Sequence, residues 1–182
     1  MSKVRITRWA PAAGALAALA LLAGCGGRGG EARDCAAPAR LSEASGFCVP
    51  RYLSLKRGEV MARKGPGTDY PALWVYRAQG LPVQVVAETQ DWRRICDADG
   101  AAAWVHRSML DGRRTVIGLG AAPIPLRRAP RANAPLAGLL NARALADLGR
   151  CAGAWCKLKV GGLSGWAASA SVWGAAPARQ CR

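Results

Sequence analysis

Arg63-Lys64-Gly65-Pro66-Gly67-Thr68-Asp69-Tyr70-Pro71-Ala72-Leu73-Trp74-Val75-Tyr76 is followed by Leu81-Pro82-Val83-Gln84-Val85-Val86-Ala87, then Asp91-Trp92-Arg93-Arg94-Ile95, then Trp104-Val105-His106. These segments decide the fold. Gly65, Pro66, Gly67 and Asp69 supply the special backbone angles of a tight loop. The runs after them are rich in β-branched and aromatic residues and bounded by turn formers, which is strand composition. The stretch reads as one small β-barrel.

Working outward, the second half of the chain repeats the first. Lys64 to Pro71 overlies Arg128 to Pro135 at an offset of 64, matching the basic residue, both prolines and Asp69 with Asn133. Trp92-Arg93-Arg94-Ile95 falls on Trp155-Cys156-Lys157-Leu158 at 63, and Trp104-Val105 on Trp166-Ala167 at 62. A drift of one residue per step is what loop-length variation produces, and units of roughly 60 residues can fold alone, if marginally. The expected fold class is therefore all-β, with two tandem small barrels of about five short strands each. The divisions are 1–24 for an export signal, 25–47 for a flexible tether, 48–112 and 113–176 for the barrels, and 177–182 for a tail.

The loop Arg63 to Pro71, the Leu81 to Val85 run, Asp91 to Ile95 and Trp104-Val105-His106-Arg107-Ser108 together resemble the bacterial SH3-like domains, in the tandem form found in exported envelope proteins. The resemblance implies recognition of cell-wall peptides or of an extended protein segment. Relatives that act on the wall carry a separate hydrolase domain, and none is expected among these residues.

The N-terminus reads as a lipoprotein signal. Lys3, Arg5 and Arg8 precede an apolar run from Ala12 to Ala23, too short for the roughly 20 residues of a spanning helix. Leu22-Ala23-Gly24-Cys25 resembles a lipobox, in which the Cys25 thiol receives the lipid. Gly26 in place of Asp favours the periplasmic face of the outer membrane, by resemblance to lipoprotein sorting. Membrane lipid through acylated Cys25 is one expected partner, and peptidoglycan or an envelope protein another. The formal charge of +15 would ordinarily raise nucleic acid, but an exported chain does not meet it. Basic pairs such as Arg113-Arg114 and Arg127-Arg128 then form a solvated surface, or one drawn to anionic envelope material. Residues 26–45 lack apolar periodicity and read as tether.

The second copy has Ala134, Gly138 and Leu140 where the first has Tyr70, Trp74 and Tyr76. The candidate ligand site is therefore Tyr70, Trp74 and Tyr76 with Arg63, Arg93 and Arg94 to meet carboxylates, while Trp92 and Trp104 are expected in the core. The function expected is a non-catalytic, lipid-anchored envelope binding module. A structural lipoprotein is the alternative, and predicts that the rings of Tyr70, Trp74 and Tyr76 are buried; an accessory role in wall hydrolysis is a third reading.

With Cys25 set aside, six cysteines remain, an even number suited to disulfides in an oxidising compartment. In Cys151-Ala152-Gly153-Ala154-Trp155-Cys156 a two-residue Gly-X turn sets Cys151 opposite Cys156, with Cα atoms roughly 4.5 Å apart. The other four allow three connectivities, of which Cys35 with Cys48 and Cys96 with Cys181 are preferred. His106 is the only histidine, so a multi-histidine metal site is excluded and a His106/Cys96 pair is the one nucleophilic arrangement left. No metal or cofactor is expected.

Overall fold

The computed structural model describes residues 35–175, which form an all-β body of two repeated barrels. A two-stranded hairpin, β1 (Arg40–Leu41) with β2 (Cys48–Val49), leads into the first barrel. That barrel comprises β3 (Arg51–Leu55), β4 (Val60–Arg63), β5 (Ala72–Tyr76), β6 (Pro82–Glu88), β7 (Trp92–Cys96), β8 (Ala102–His106) and β9 (Leu110–Asp111). The second comprises β10 (Thr115–Gly118), β11 (Ile124–Arg127), β12 (Leu136–Leu140), β13 (Leu145–Ala152), β14 (Trp155–Val160), β15 (Leu163–Ala168) and β16 (Val172–Trp173). A single 3-10 turn precedes the last strand of each, at Arg107–Met109 and Ser169–Ser171.

The sheet orders coincide strand for strand. They run β5-β4-β8-β7-β6-β3-β9 in the first barrel and β12-β11-β15-β14-β13-β10-β16 in the second, antiparallel at each pairing. Register slips recur in step, between Ala62 and Arg63 and again between Leu126 and Arg127. The repeat read from the sequence is thus a repeat of pairing and not of composition alone. The loop after β4 recurs as well. Lys64 N–H donates to Pro71 O at 3.0 Å and Arg128 N–H to Pro135 O at 2.9 Å, while Arg63 and Arg127 each send Nη1 to the carbonyl seven residues on. Gly65 is required there because the Tyr70 ring lies where its Cβ would be.

Each barrel closes on its own interior. Leu55, Val60, Val83, Val85, Ile95 and Val105 are at most 1% exposed and form the first core; Val116, Leu126, Leu140, Leu158, Ala167 and Val172 form the second. Alternation along each strand delivers them, since every second side chain points inward. Units of this size bury little surface, and a third cluster adds to it between the barrels. There Tyr52 and Cys96 of the first barrel pack on Ile117 and Trp173 of the second, with the Tyr52 and Trp173 rings edge-on at 4.9 Å. Buried Ser54 and Thr115 bring their hydroxyls within 2.7 Å of each other and reach Arg113 O and Gly80 O. Arg143 bridges the barrels on the surface, donating to both carboxylate oxygens of Asp99.

Two expectations about the N-terminal segment need revision or fall outside the described residues. The tether was expected to run to residue 47, yet residues 35–47 are folded. Cys35 is disulfide-bonded to Cys48, and Ser45 donates to the Glu88 carboxylate on β6. These non-local contacts hold a segment whose local sequence has no periodicity. The signal and Cys25 lie outside the described residues. The Cys151–Cys156 disulfide is present with a Cα separation of 4.0 Å, in a hairpin pairing Ala152 with Trp155 around Gly153 at φ +55°. Cys96 is fully buried and disulfide-bonded; its expected partner, Cys181, lies outside the described residues.

Candidate functional site

Strand alternation decides which of the singled-out residues share a face. On β8, Ala103 and Val105 are buried, so Ala102, Trp104 and His106 point outward. On β7 the inward residues are Arg93 and Ile95, leaving Trp92 and Arg94 outward. Antiparallel partners lie on one face, and Trp104 pairs with Arg94 on one side and Arg63 on the other. The outer face of the first barrel therefore carries a row Arg94, Trp104, Arg63 across β7, β8 and β4. Beside it Trp92 stacks edge-on against His106 at 5.4 Å. Tyr70, 46% exposed, sits at the end of the row, its carbonyl accepting from Arg63 Nη1 at 2.7 Å. A ring flanked by two guanidinium groups suits a ligand with an apolar or sugar surface and carboxylates at its edges.

The sequence-predicted set is divided by this geometry. Arg63, Arg94 and Tyr70 are brought together. Trp74 and Tyr76 are turned to the opposite face, paired with Ala62 and Val60, and stacked edge-on at 5.9 Å. Trp74 is half-buried against the first core. Tyr76 is a core residue, 8% exposed, its hydroxyl donating to Asp97 Oδ2 at 2.9 Å. Burial, reinforced by the Asp97 carboxylate, pushes this phenol well above its ordinary pKa.

Arg93 is likewise corrected from a surface contact to a buried one. Its Nε lies 2.7 Å from Glu88 and its Nη1 donates to Thr89 O at 2.7 Å. Arg51 Nη2 meets the same carboxylate oxygen at 2.5 Å. Burial alone would raise the Glu88 pKa, but hydrogen bonds from Arg51, Ser42 and Ser45 outweigh it and hold the carboxyl below its ordinary value. Conversely, Trp92 and Trp104, expected in the core, are half-buried on the outer face.

The second barrel repeats the row. Lys157 pairs with Trp166, Trp166 with Arg127, and Arg127 with Leu136. Trp155 stands where Trp92 does, and Ala134, buried, where Tyr70 is exposed. The arrangement of cation, tryptophan and cation is thus a property of both copies.

The nucleophilic pair is not assembled. Cys96 is in a disulfide, and His106 Nδ1 accepts from the Ser108 backbone N–H at 3.3 Å with the Ser108 hydroxyl 2.7 Å away. Among the described residues no group of three or more His, Cys, Asp and Glu side chains gathers to hold a metal ion.

No curated protein matches the chain. Among solved structures it is similar to NlpC2 from Trichomonas vaginalis, at 10% identity over 69% of this chain and 48% of that one, with a TM-score of 0.32. NlpC1 from the same organism is similar at 11% identity, over 72% and 48%, with a TM-score of 0.32. The chain spans about half the length of these proteins, and at this TM-score the likeness carries no argument. The sequence matches the bacterial SH3 domain twice, over residues 56–112 and 120–174, the two barrels described above. The chain belongs to the bacterial SH3 domain family, as a tandem pair.

Proposed function

We propose that the chain is a non-catalytic, lipid-anchored module of the cell envelope that binds peptidoglycan or a cell-wall peptide on the outer face of its first barrel. Membership of the family supports a binding module associated with the cell wall. The observation that carries the reading is the row Arg94, Trp104, Arg63 with exposed Tyr70 at its end. The engaged states of Cys96 and His106 support a role in binding rather than in hydrolysis. Acylation at Cys25 and residence at the periplasmic face of the outer membrane belong to the same reading, on the strength of the Leu22 to Gly26 motif. A purely structural lipoprotein predicts that Tyr70, Trp74 and Tyr76 are all buried. Burial of Tyr76 agrees with it, and the exposure of Tyr70 does not.

Retention on purified peptidoglycan sacculi tests the site. Truncating a central aromatic anchor costs about 2 kcal/mol or more, roughly thirty-fold in affinity, so Trp104→Ala loses retention at low and high salt alike. Trp104→Phe keeps a ring and most of the binding. Arg63→Ala/Arg94→Ala weakens retention chiefly at low salt, since exposed charges are screened. Trp104→Ala binding as wild type at high salt would refute the site. Intact mass of the envelope-extracted protein carries a diacylglyceryl group on Cys25; an unmodified cysteine would refute the anchor.

A further inference from the structure

The second barrel carries about half of the chain's net charge of +15. Residues 113–175 carry nine Lys and Arg against one acid, Asp147, a net of +8, whereas residues 48–112 carry nine against seven. Three of the nine are engaged at or near the junction. Arg143 is held by Asp99, Arg114 donates to Gly174 O, and Arg113 lies against Gly80. The other six are Arg127, Arg128, Arg131, Arg150, Lys157 and Lys159. Among the described residues none of them is in an ion pair.

The repeated row has changed character in step with this charge. Trp104 is half-buried and offers its ring, but Trp166 is only 6% exposed, with the Arg150 guanidinium 5.6 Å above it. What the second barrel offers instead is cations, around a groove of about 470 Å³ lined by Arg128, Lys157, Ser164 and Trp166 with no acid. Next to them the edge hairpin of β11 and β12 turns Leu136 and Leu139 outward, 48% and 53% exposed. The cations are spread over β11, β13, β14 and the loop between β11 and β12, and do not converge on one point.

We infer that the second barrel docks on an anionic lipid surface, its cations facing lipid phosphates and Leu136 and Leu139 entering the headgroup boundary. Spread single charges match a fluid sheet of phosphates, which can move to meet each of them; one small ligand would need the charges to converge. Exposed leucines beside them supply the apolar component that interfacial binding uses. Cations near an anionic leaflet each favour association, within a Debye length of the surface. The inference goes beyond the peptidoglycan reading and needs no acyl chain.

The chain from residue 26 onward tests it, because residues 35–175 lie in one compact unit that holds both cores. Co-sedimentation is measured with vesicles of phosphatidylcholine alone and of phosphatidylcholine with phosphatidylglycerol. Binding is expected on the mixed vesicles only, falling with salt. Each cation removed is worth about five-fold, so Arg128→Ala/Arg131→Ala/Lys157→Ala binds them about a hundred-fold more weakly. Lys56→Ala/Arg57→Ala, which removes two exposed charges from the first barrel, changes binding by less than about five-fold.

Sacculi separate this from the peptidoglycan site. The triple variant keeps sacculus retention at high salt, and Trp104→Ala keeps vesicle binding. Equal binding to both vesicle types, or a triple variant that binds mixed vesicles as wild type, would overturn the inference. Loss of sacculus retention in the triple variant with vesicle binding intact would also overturn it, by making peptidoglycan the occupant.

Discussion

Glu88→Ala destabilises the protein by about 3–5 kcal/mol, the cost of breaking a buried ion pair by removing one partner. The Glu88 side chain is fully buried and is met by Arg51, Arg93 and Ser45. Arg93 is itself 8% exposed at the side chain, and Arg51 Nη1 is already buried without a hydrogen-bond partner among the described residues. Removing the carboxylate leaves two guanidinium groups facing each other in low dielectric, which is worse than losing one attraction. It also frees the β1–β2 hairpin, which Ser45 ties to this carboxylate. Against a total stability of roughly 5–15 kcal/mol such a loss is large.

The pH dependence has a definite sign. The Glu88 pKa is lowered on folding from its ordinary 4.5. Its contribution is therefore complete above that value and is lost as pH falls through the folded pKa. Urea unfolding of wild type, Glu88→Gln and Glu88→Ala from neutral pH downward measures this. A loss under about 1 kcal/mol at neutral pH, or a variant with the acid sensitivity of wild type, would refute the ion-pair account.

Trp173→Ala is expected to cost about 3–5 kcal/mol and to separate the unfolding of the two barrels. Trp173 is 5% exposed and contributes the largest side chain of the cluster between them, with Tyr52 edge-on to its ring. A barrel of about 60 residues is marginal alone, so this shared cluster couples the two. Calorimetry is expected to show a single transition for wild type and two for Trp173→Ala. A single transition shifted by only a few degrees would show that the junction is not what couples the barrels.

Much of this was legible in the sequence. The offsets of 64, 63 and 62 at Lys64, Trp92 and Trp104 correspond to pairings that recur, Arg63 with Trp104 and Arg127 with Trp166. The Gly153-Ala154 turn set the Cys151–Cys156 register through local chemistry alone. The site is less legible, because residue type points Trp104 inward where strand alternation points it outward. In Ala102-Ala103-Trp104-Val105-His106 the buried pair Ala103 and Val105 obliges Trp104 to face outward, and its recurrence at Trp166 in the row was a second signal. Tyr76 in β5 falls on the inward phase with Val60 of β4. Arg93 pointed to the surface by residue type, and only Glu88, paired with it across strands, explains its burial. The folded part of the tether was not readable, because two-residue strands carry no period and their contacts are with distant residues.

The most direct measurement of the ligand face is titration of the indole N–H resonances with a soluble disaccharide-peptide fragment of peptidoglycan. Trp104, half-buried between Arg94 and Arg63, is expected to shift and saturate, with its neighbour Trp92 moving less. Trp173, in the junction, and Trp74, turned to the opposite face, stay in place. A shift confined to Trp74, or no indole shift at all in a fragment-bound sample, would contradict the assignment of the outer row as the binding face.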